Sequence, residues 1–526
     1  MKKEKILKGI FGFLPVFMLG GAIHVNAAET DFVECVKQDE CVLESDVTID
    51  TTIELQNDLV LDLNGYTITS NVKNPNAAIE TSHTLTIKDS KGTGLFDASQ
   101  GYAFFAFDGG TLILDSGEIK ALDAPFTGNN TNGDMNVIVN GGTLTAIHGA
   151  AIYSPSQGKI EINGGTLNGG INIRMGQVTI NGGNIINNNP LNVDPIEDYY
   201  GFQGSVWLSD AIAVIGGTYT SENTQYGNSL NLVINGGNIE SELGNALTIY
   251  AFGKVEQDLN LEINGGTFNG KEISVAIEDA DSLGLKDYSN VKVEDYKKYV
   301  NDVNVSITSG TFNSNVESLL NDGYKVVETD GLYNVEPNLV LSTDDETVTF
   351  ESEKPLPNDY ELRVEKETLD DVNAVITDTK TSIAESLKEN NTNITFKDAE
   401  ILATYNINVY SGTEIVKIEG TDKYKISIAV AEELLSKYDY VKVAYINDEG
   451  KVETIYDATV ENGVVSFETT HLSTYSIVGY NAELTQIDNP IENPSTSDNV
   501  LTYVLIGGIS LVGIAGASLY LKKRNN

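Results

Sequence analysis

The chain has 526 residues, a formal net charge of −43 and two cysteines. This length exceeds what one globular core usually accommodates, and it fits an elongated repeat array joined to a second domain. A surface this acidic repels nucleic acid and anionic polymers but tolerates neutral ligands and cations. We therefore exclude nucleic acid as a partner.

The first 28 residues have the pattern of a secretory signal peptide. A lysine-rich start is followed by an apolar run from Ile10 to Ile23, and then by the small residues Ala27 and Ala28. This order of charge, apolar run and small residues is read by the export machinery. We expect residues 1–28 to be removed and the rest of the chain to be secreted.

Both cysteines, Cys35 and Cys41, follow the predicted cleavage site. An extracellular location permits a disulfide, and the short loop between them could be closed by one. Two free thiols fit the sequence equally well, because the spacing does not fix the distance between the Cα atoms. No histidine lies nearby, so we predict no metal site here.

A repeated phrase organises residues 29–336. Its clearest copies read Ile-Asn-Gly-Gly-Thr, at Ile162–Thr166 and Ile263–Thr267, with a further variant at Ile215–Thr218. Alignment on the Asn position gives about ten units at an irregular period typical of stacked repeats. The aligned Asn position is occupied by Asn64, Asp89, Asp115, Asn140, Asn163, Asn181, Asn235, Asn264 and Thr308.

Apolar residues recur one and three positions before the aligned Asn, and again four positions after it. Ile160 and Ile162 illustrate the first two columns, and Leu167 illustrates the third. Alternation with period two predicts a short strand with one buried face, and the Gly-Gly bend separates it from a second strand. Stacked asparagines could form a hydrogen-bonded ladder. We therefore predict a single-stranded parallel β-helix of three-strand coils, roughly 48 Å long.

Insertions interrupt the coils. The segment Asn187–Asp210 carries an aromatic set that could stack on a sugar ring; the alternative, that these side chains cover the flank of the helix, is the one that we favour. A second segment, Glu278–Val300, is rich in carboxylates without a recognised calcium-loop spacing, so calcium is an open alternative to a solvated charge run. The candidate ligand-binding residues are Tyr199, Tyr200, Phe202 and Trp207.

Catalysis is not predicted. The outward column of the repeats offers Glu161 and Glu262, which the alignment places about four coils or roughly 19 Å apart, whereas glycosidase carboxylates lie roughly 5 to 9.5 Å apart. Arg174 is the only arginine of the repeat region. We assign no catalytic residue, no metal ligand and no cofactor, and keep a polysaccharide-active enzyme as an alternative.

Residues 337–480 have a different character. They lack the Gly-Gly phrase, and Leu369–Asn390 has the apolar period of a helix. The later alternating segments, such as Tyr440–Ile446, are separated by turn signals at Asp448–Gly450 and Glu461–Gly463. We predict an antiparallel β-sandwich with one helix, in which His471 has a structural role.

The C-terminal part resembles the sorting signals of Gram-positive surface proteins. A polar linker, residues 481–499, precedes an apolar run, residues 500–521, long enough for a transmembrane helix, and a basic tail, residues 522–526. The resemblance implies that sortase cuts after Thr496 and joins it to peptidoglycan, although Leu and Gly of the common motif are replaced here. The matching residues are Asn493, Pro494, Ser495, Thr496 and Ser497.

The whole plan resembles cell-wall-anchored surface proteins with a parallel β-helix (pectate-lyase-like) ectodomain and a β-sandwich stalk. This resemblance implies a protein on the extracellular surface of a Gram-positive bacterium, in contact with the membrane only before sorting. Sortase and peptidoglycan are the implied partners. We expect an adhesin that binds glycans or host surface proteins; the alternatives are the enzyme and a structural wall protein without a ligand.

Overall fold

A computed structural model of the chain describes residues 27–128, 134–190, 192–193, 206–207, 209–215, 229–250, 258–278, 303–417 and 422–486. The chain forms two compact units. The first unit comprises the chain up to Asn321 and the segment Val326–Glu336. The second unit comprises the segment Asp322–Lys325 and the chain from Pro337 onward. The predicted signal peptide lies outside the described residues up to position 26, and the predicted linker does so from position 487.

Three long sheets with parallel strands build the first unit, and successive strands of one sheet are three strands apart in the chain once the separate short pair Asn192–Val193 and Val206–Trp207 is set aside. Each coil therefore contributes one strand to each sheet, which is consistent with a parallel β-helix. The first sheet has ten strands. They are Glu40–Val42, Leu59–Asp62, Thr84–Lys88, Thr111–Leu114, Asn136–Val139, Lys159–Ile162, Gly176–Ile180, Ser229–Ile234, Asp258–Ile263 and Val303–Ile307.

The second sheet follows the Gly-Gly bends, and the third sheet completes each coil. The parallel strands of the second sheet are Val47–Ile49, Thr67–Ser70, Leu95–Ala98, Glu118–Ala121, Thr143–Ala146, Thr166–Asn168, Asn184–Asn187, Asn238–Ser241, Thr267–Asn269 and Gly310–Phe312. The strands of the third are Ile53–Glu54, Ala77–Thr81, Tyr102–Ala106, Phe126–Gly128, Ile152–Ser154, Ile171–Ile173, Ile212–Ile215, Leu247–Tyr250 and Val275–Glu278.

Stacked aliphatic and aromatic side chains fill the interior of the coils. In the first sheet Ile162 pairs in register with Val139 and Ile180, and all three are fully buried. In the third sheet the buried ring of Phe104 lies 4.5 Å from that of Phe96 in the second. The two apolar columns before the aligned Asn and the column after it thus lie inside, as predicted, because period-two alternation points one face of each strand inward.

The aligned asparagines form the predicted ladder. The amide of Asn163 donates to the side-chain oxygen of Asn140 at 3.0 Å, and that of Asn181 donates to Asn163 at 2.8 Å. Equivalent bonds continue from coil to coil, so the corner between the first and second sheets is tied together by side chains as well as by backbone. The ladder comprises Asp115, Asn140, Asn163, Asn181, Asn235, Asn264 and Thr308.

The two glycines of the phrase have different roles. A Cβ on Gly265 would lie 2.7 Å from the carbonyl oxygen of Asn235 in the preceding coil, a distance that real Cβ atoms do not tolerate. Gly266 has φ +104°, in the region where L side chains are strained. The first glycine therefore permits close stacking and the second permits the bend.

One predicted copy of the phrase is wrong. The strand Ile212–Ile215 pairs with Ile171–Ile173 and Leu247–Tyr250, so Ile215 ends a strand of the third sheet and not one of the first. One first-sheet strand was missed: Glu40–Val42 pairs with Val60–Asp62 and lacks a following Gly-Gly. The predicted count of ten agrees with the ten strands because one false copy replaced one missing copy.

A helix precedes the first coil. The helix Ala27–Cys35 is followed by the strand Glu40–Val42, and the side chains of Phe32 and Val36 are buried. Cys35 and Cys41 are joined by a disulfide, with their Cα atoms 5.3 Å apart. At the other end, a 3₁₀ helix forms at Glu317–Leu319, and the second sheet ends with two strands that follow it, Leu332–Pro337 and Tyr324–Thr329.

The second unit contains two antiparallel sheets and helices. Buried side chains from both sheets, among them Phe350, Ile426 and Tyr475, form one apolar cluster. The strands of one sheet are Val340–Ser342, Val348–Ser352, Tyr424–Ala429, Val464–Thr469 and Thr459–Glu461, and those of the other are Tyr360–Lys366, Thr392–Ser411, Thr474–Gln486, Tyr440–Ile446 and Val452–Asp457, with Glu414–Ile415 beside the second of them.

The predicted helix of this unit spans Val372–Glu389 and begins at Asp371, whose carboxylate accepts a hydrogen bond from the amide of Ala374. Its buried residues include Val375 and Ile383, whereas Val372 in its first turn is 43% exposed. A one-turn helix also forms at Glu432–Leu435. The prediction of an all-β chain with long parallel sheets followed by antiparallel sheets is confirmed.

None of the helices within the described part of the chain is long and apolar enough to cross a membrane. The predicted transmembrane segment, residues 500–521, lies outside the described residues, as does the basic tail.

Candidate functional site

Most residues predicted to bind a ligand lie outside the described part of the chain. This holds for Tyr199, Tyr200 and Phe202, and for the sorting residues 493–497. The backbone of Trp207 is described: the short strand Val206–Trp207 pairs antiparallel with Asn192–Val193. The predicted aromatic set thus lies largely outside the described residues, and its role stays a prediction.

The two outward glutamates do not form a catalytic pair. Glu161 pairs with Thr179, and the same row continues through Val233 to Glu262. The glutamates are thus three coils apart, not four, because the false copy at Ile215 had added a coil; at one strand spacing per coil this is roughly 14 Å. That separation still exceeds the roughly 5 to 9.5 Å of glycosidase carboxylates.

Within the described residues, no group of three or more His, Cys, Asp or Glu side chains could hold a metal ion. The carboxylates of the second insertion, from position 279 onward, lie outside those residues, so the calcium alternative stays a prediction. The cysteines are engaged in their disulfide.

The third sheet carries aromatic side chains on its outer face. Phe105 and Tyr153 lie between inward residues on their strands, and both are partly exposed. Both pair with Thr127, so they share one outward row with a small side chain between them. The ring of Phe107 lies 6.4 Å from that of Phe105. Two strand spacings place the backbones of Phe105 and Tyr153 roughly 10 Å apart.

The outward rows of the other two sheets lack aromatic residues in the described parallel strands. In the first sheet the equivalent row contains Val60, Thr86, Ile113, Ile138, Glu161, Thr179, Val233, Glu262 and Ser306. In the second sheet it contains Thr69, Asp97, Lys120, Thr145, Asn168, Ile186, Glu240 and Asn269. The third sheet is therefore chemically distinct along part of its length.

Titratable groups border these rings. Asp123 is 8% exposed, and its carboxylate accepts a hydrogen bond from the amide of Asn74. Burial raises the pKa of Asp123, while the nearby His148 imidazole opposes that shift. Tyr102 contacts the same alanine pair as Tyr153, and burial, followed by the charge of Asp123, raises the pKa of its hydroxyl.

Further along the third sheet the outer face becomes polar and buried. The hydroxyl of Tyr250 donates to the carboxylate of Asp210 at 2.6 Å, and the amide of Asn245 donates to the same carboxylate at 2.8 Å. Burial raises the pKa of Asp210, and these donors counteract it. Because the donors hold the carboxylate within the fold, we interpret this group as structural.

Arg174 lies beside Tyr153. It is 5% exposed, and its guanidinium carbon lies 5.9 Å from the centre of the Tyr153 ring. A guanidinium over an aromatic face is attracted by the ring quadrupole. The positive charge near Tyr153 is thus supplied by the protein itself.

Sequence reasoning missed this face because the third strand has no signature phrase. The strands Tyr102–Ala106 and Ile152–Ser154 follow turns of different length, so alignment on the Asn position does not superimpose them. The third-sheet strands could have been located by looking, after each second-sheet strand, for the next short apolar run in the sequence. Comparison of the chain with protein-family models, curated proteins and solved structures found no match.

Proposed function

We propose that the chain is a Gram-positive surface protein that is exported, sorted by sortase at Thr496 and joined to peptidoglycan, and that it binds glycans or host surface molecules. In this proposal the coils are a single-stranded parallel β-helix, and the antiparallel unit is a β-sandwich stalk between the coils and the wall. The predicted segment at 500–521 holds the precursor in the membrane until sorting.

One observation carries the binding role: ten coils stack through local side-chain and backbone bonds and leave three long outer faces that differ in chemistry. Repeat scaffolds of this kind owe their stability to contacts between neighbouring coils, so their outer residues are available for a ligand. The chain order supports display, since the second unit lies between the coils and the predicted sorting signal.

Cell fractionation tests the anchoring. The wild-type protein should appear in the wall fraction and be released by peptidoglycan hydrolases. Thr496→Ala should remain with the membrane, because sortase cannot form the acyl intermediate; Thr470→Ala is a control threonine in the second unit. Wall linkage of the Thr496→Ala variant would refute the cut site.

Binding is tested with the exported protein on glycan arrays and on host cells. We expect saturable binding, and its loss on replacing Tyr199, Tyr200 and Trp207 by Ala would assign it to the predicted aromatic set. Complete absence of binding, both to the glycan arrays and to host cells, would favour the alternative of a structural wall protein without a ligand.

Polysaccharide cleavage is a second candidate function, and the pair of Asp123 and His148 favours it. Burial raises the pKa of the Asp123 carboxyl, which is the direction that a general acid requires. Incubation with neutral and acidic polysaccharides should then release reducing ends, and Asp123→Asn should abolish the release. Product formed at the same rate by the variant would exclude this role for Asp123.

A further inference from the structure

We propose that Asn462, in the second unit, is a site of spontaneous covalent modification, at which the side-chain amide is lost and the residue becomes aspartate or isoaspartate. Water is the only co-reactant, and no second protein takes part. The proposal does not depend on what the coils bind.

Asparagine followed by glycine is chemically prone to this reaction. The main-chain nitrogen of the glycine attacks the side-chain carbonyl carbon of the asparagine, and the new C–N bond closes a five-membered succinimide ring. The side-chain nitrogen leaves as ammonia with the proton of the attacking nitrogen. Water then opens the ring at either carbonyl carbon and leaves a carboxylate. Glycine favours the attack because it has no Cβ to obstruct its nitrogen.

Asn-Gly pairs recur along the described part of the chain, but all of them except Asn462–Gly463 belong to the first unit. In five of these pairs the asparagine is a member of the ladder. The five are Asn140, Asn163, Asn181, Asn235 and Asn264. In the other three the glycine nitrogen already donates a hydrogen bond. These bonds run from Gly65 to the carboxylate of Asp89 at 2.7 Å, from Gly169 to the carbonyl oxygen of Ile186 at 2.7 Å and from Gly270 to the side-chain oxygen of Asn313 at 3.1 Å.

The ladder protects its asparagines, and Asn264 illustrates how. Its amide donates to the side-chain oxygens of Asn235 at 3.1 Å and of Glu262 at 2.7 Å, and its own oxygen accepts from the hydroxyl of Thr308 at 2.9 Å. Ring closure makes the side-chain carbon tetrahedral and expels the nitrogen that donates two of these bonds. Because hydrogen bonds have to be given up, we expect the reaction to be slow at every ladder position.

The ladder also disfavours the product. Its side-chain bonds run in one direction: Asp115 at the start accepts from Asn140, and Thr308 at the end donates to Asn264. A carboxylate in place of Asn163 has no proton to donate, so it would face the side-chain oxygen of Asn140 without a bond, which is unfavourable.

Asn462 lacks these restraints. With Gly463 it forms the two-residue loop between the strands Thr459–Glu461 and Val464–Thr469, and its side chain is exposed. Among the described residues, no hydrogen bond is found for the side chain of Asn462 or for the nitrogen of Gly463. Only the carbonyl oxygen of Val430, at 3.3 Å, lies within 4 Å of a Cβ placed on Gly463. The side chain can therefore turn towards the glycine nitrogen without breaking a hydrogen bond.

Modification should weaken this hairpin. Isoaspartate lengthens the main chain of the loop by one carbon, and the strand Thr459–Glu461 lies at the edge of its sheet, beside Val464–Thr469. Because the length of a two-residue loop sets the register of its strands, the converted protein should exchange amide hydrogens faster in these strands. Unchanged exchange in fully converted protein would refute this consequence.

Peptide mapping tests the proposal. The exported protein is kept at pH 8.5 and 37 °C, either folded or in 8 M urea, and is digested at acidic pH after increasing times. Mass spectrometry measures the gain of about one dalton at each Asn-Gly pair. In the folded protein Asn462 should be converted, and the ladder asparagines should react at least about tenfold more slowly. In urea the rates should become similar, because the hydrogen bonds are absent.

This comparison needs no variant, and a matched pair of variants tests the protection. Thr308→Val removes the donor to Asn264 and should accelerate its conversion, whereas Thr311→Val removes a hydroxyl bonded to Asn334 and should not. Far-UV circular dichroism establishes that both are folded. Conversion of Asn462 no faster than that of Asn264 in the folded protein, or conversion of Asn462 in urea alone, would overturn the proposal. Equal rates at Asn264 in both variants would overturn the protective role of the ladder.

Discussion

The hydroxyl of Tyr475 donates a hydrogen bond of 2.5 Å to the carbonyl oxygen of His471, four residues earlier in the chain. This tyrosine is fully buried in the core of the second unit, and its hydroxyl also lies 3.0 Å from that of Thr469. The turn that leads into the strand Thr474–Gln486 is thereby fixed to the core. A tyrosine that bonds back to the backbone in this way stabilises β-sandwich corners.

Removal of the Tyr475 hydroxyl should weaken the second unit. In Tyr475→Phe the carbonyl of His471 loses a buried donor, which costs about 1 to 3 kcal/mol. Urea unfolding followed by near-UV circular dichroism measures the change. Tyr440→Phe, which retains a ring that stacks 5.2 Å from Tyr480, is the matched control and should change stability by less. Equal effects of the two substitutions would contradict the role of this hydrogen bond.

His471 should make the second unit less stable in mild acid. Its ring lies among Tyr445, Tyr456 and Tyr475, and burial lowers its pKa, while Glu453 opposes the shift. Because the unfolded chain binds the proton more readily, this contribution is present above the unfolded pKa of about 6.5 and is lost as pH falls through the lowered value.

Urea midpoints at pH 8 and at pH 5.5 measure this dependence. The wild type should lose stability between these values, and His471→Gln should lose less, because its amide does not titrate. If the urea midpoint of the variant falls between pH 8 and pH 5.5 as much as that of the wild type, the loss of stability is due to carboxylates and not to His471.

The first two sheets could be predicted because their strands flank a fixed phrase. Ile162 and Leu167 are separated by the same bend in nearly every coil, so the period-two pattern could be aligned. The third sheet could not be aligned, because turns of variable length precede Phe126 and Ile152. The prediction that Ile215 begins a copy of the phrase was wrong because a Gly-Gly pair after a strand does not specify which sheet that strand joins.

The aromatic row on the third sheet could not be predicted from the sequence, because its residues are far apart in the chain. Phe105 and Tyr153 are 48 positions apart in the sequence, and only the pairing of both with Thr127 shows that they share a row. The predicted aromatic residues, in contrast, lie close together in one insertion of the sequence. Aromatic residues spread over three coils become neighbours only when the register of the third sheet is known.

Ile162→Asp should unfold the coils, whereas Thr179→Asp should not. Ile162 is fully buried in the stacked column, and an ionised carboxylate there has no partner, which costs at least about 4 kcal/mol. Thr179 pairs with Glu161 in the adjacent outward row and is partly exposed, so the same new charge remains in contact with water. Far-UV circular dichroism and limited proteolysis compare the variants; an Ile162→Asp protein that melts like the wild type would contradict the assignment of the column.

Gly265→Ala should destabilise the coils although its backbone angle is ordinary. The added Cβ would lie 2.7 Å from the carbonyl oxygen of Asn235, so neighbouring coils must separate or the ladder bond of 3.1 Å between Asn264 and Asn235 must lengthen. We expect a loss of about 1 to 3 kcal/mol, as for other overpacked sites. Gly92→Ala is the control: it has φ +80° but no atom within 4 Å of the added Cβ, so it reports backbone strain alone. If both variants lose the same stability in thermal unfolding, steric contact between coils is not the reason for the first glycine of the phrase.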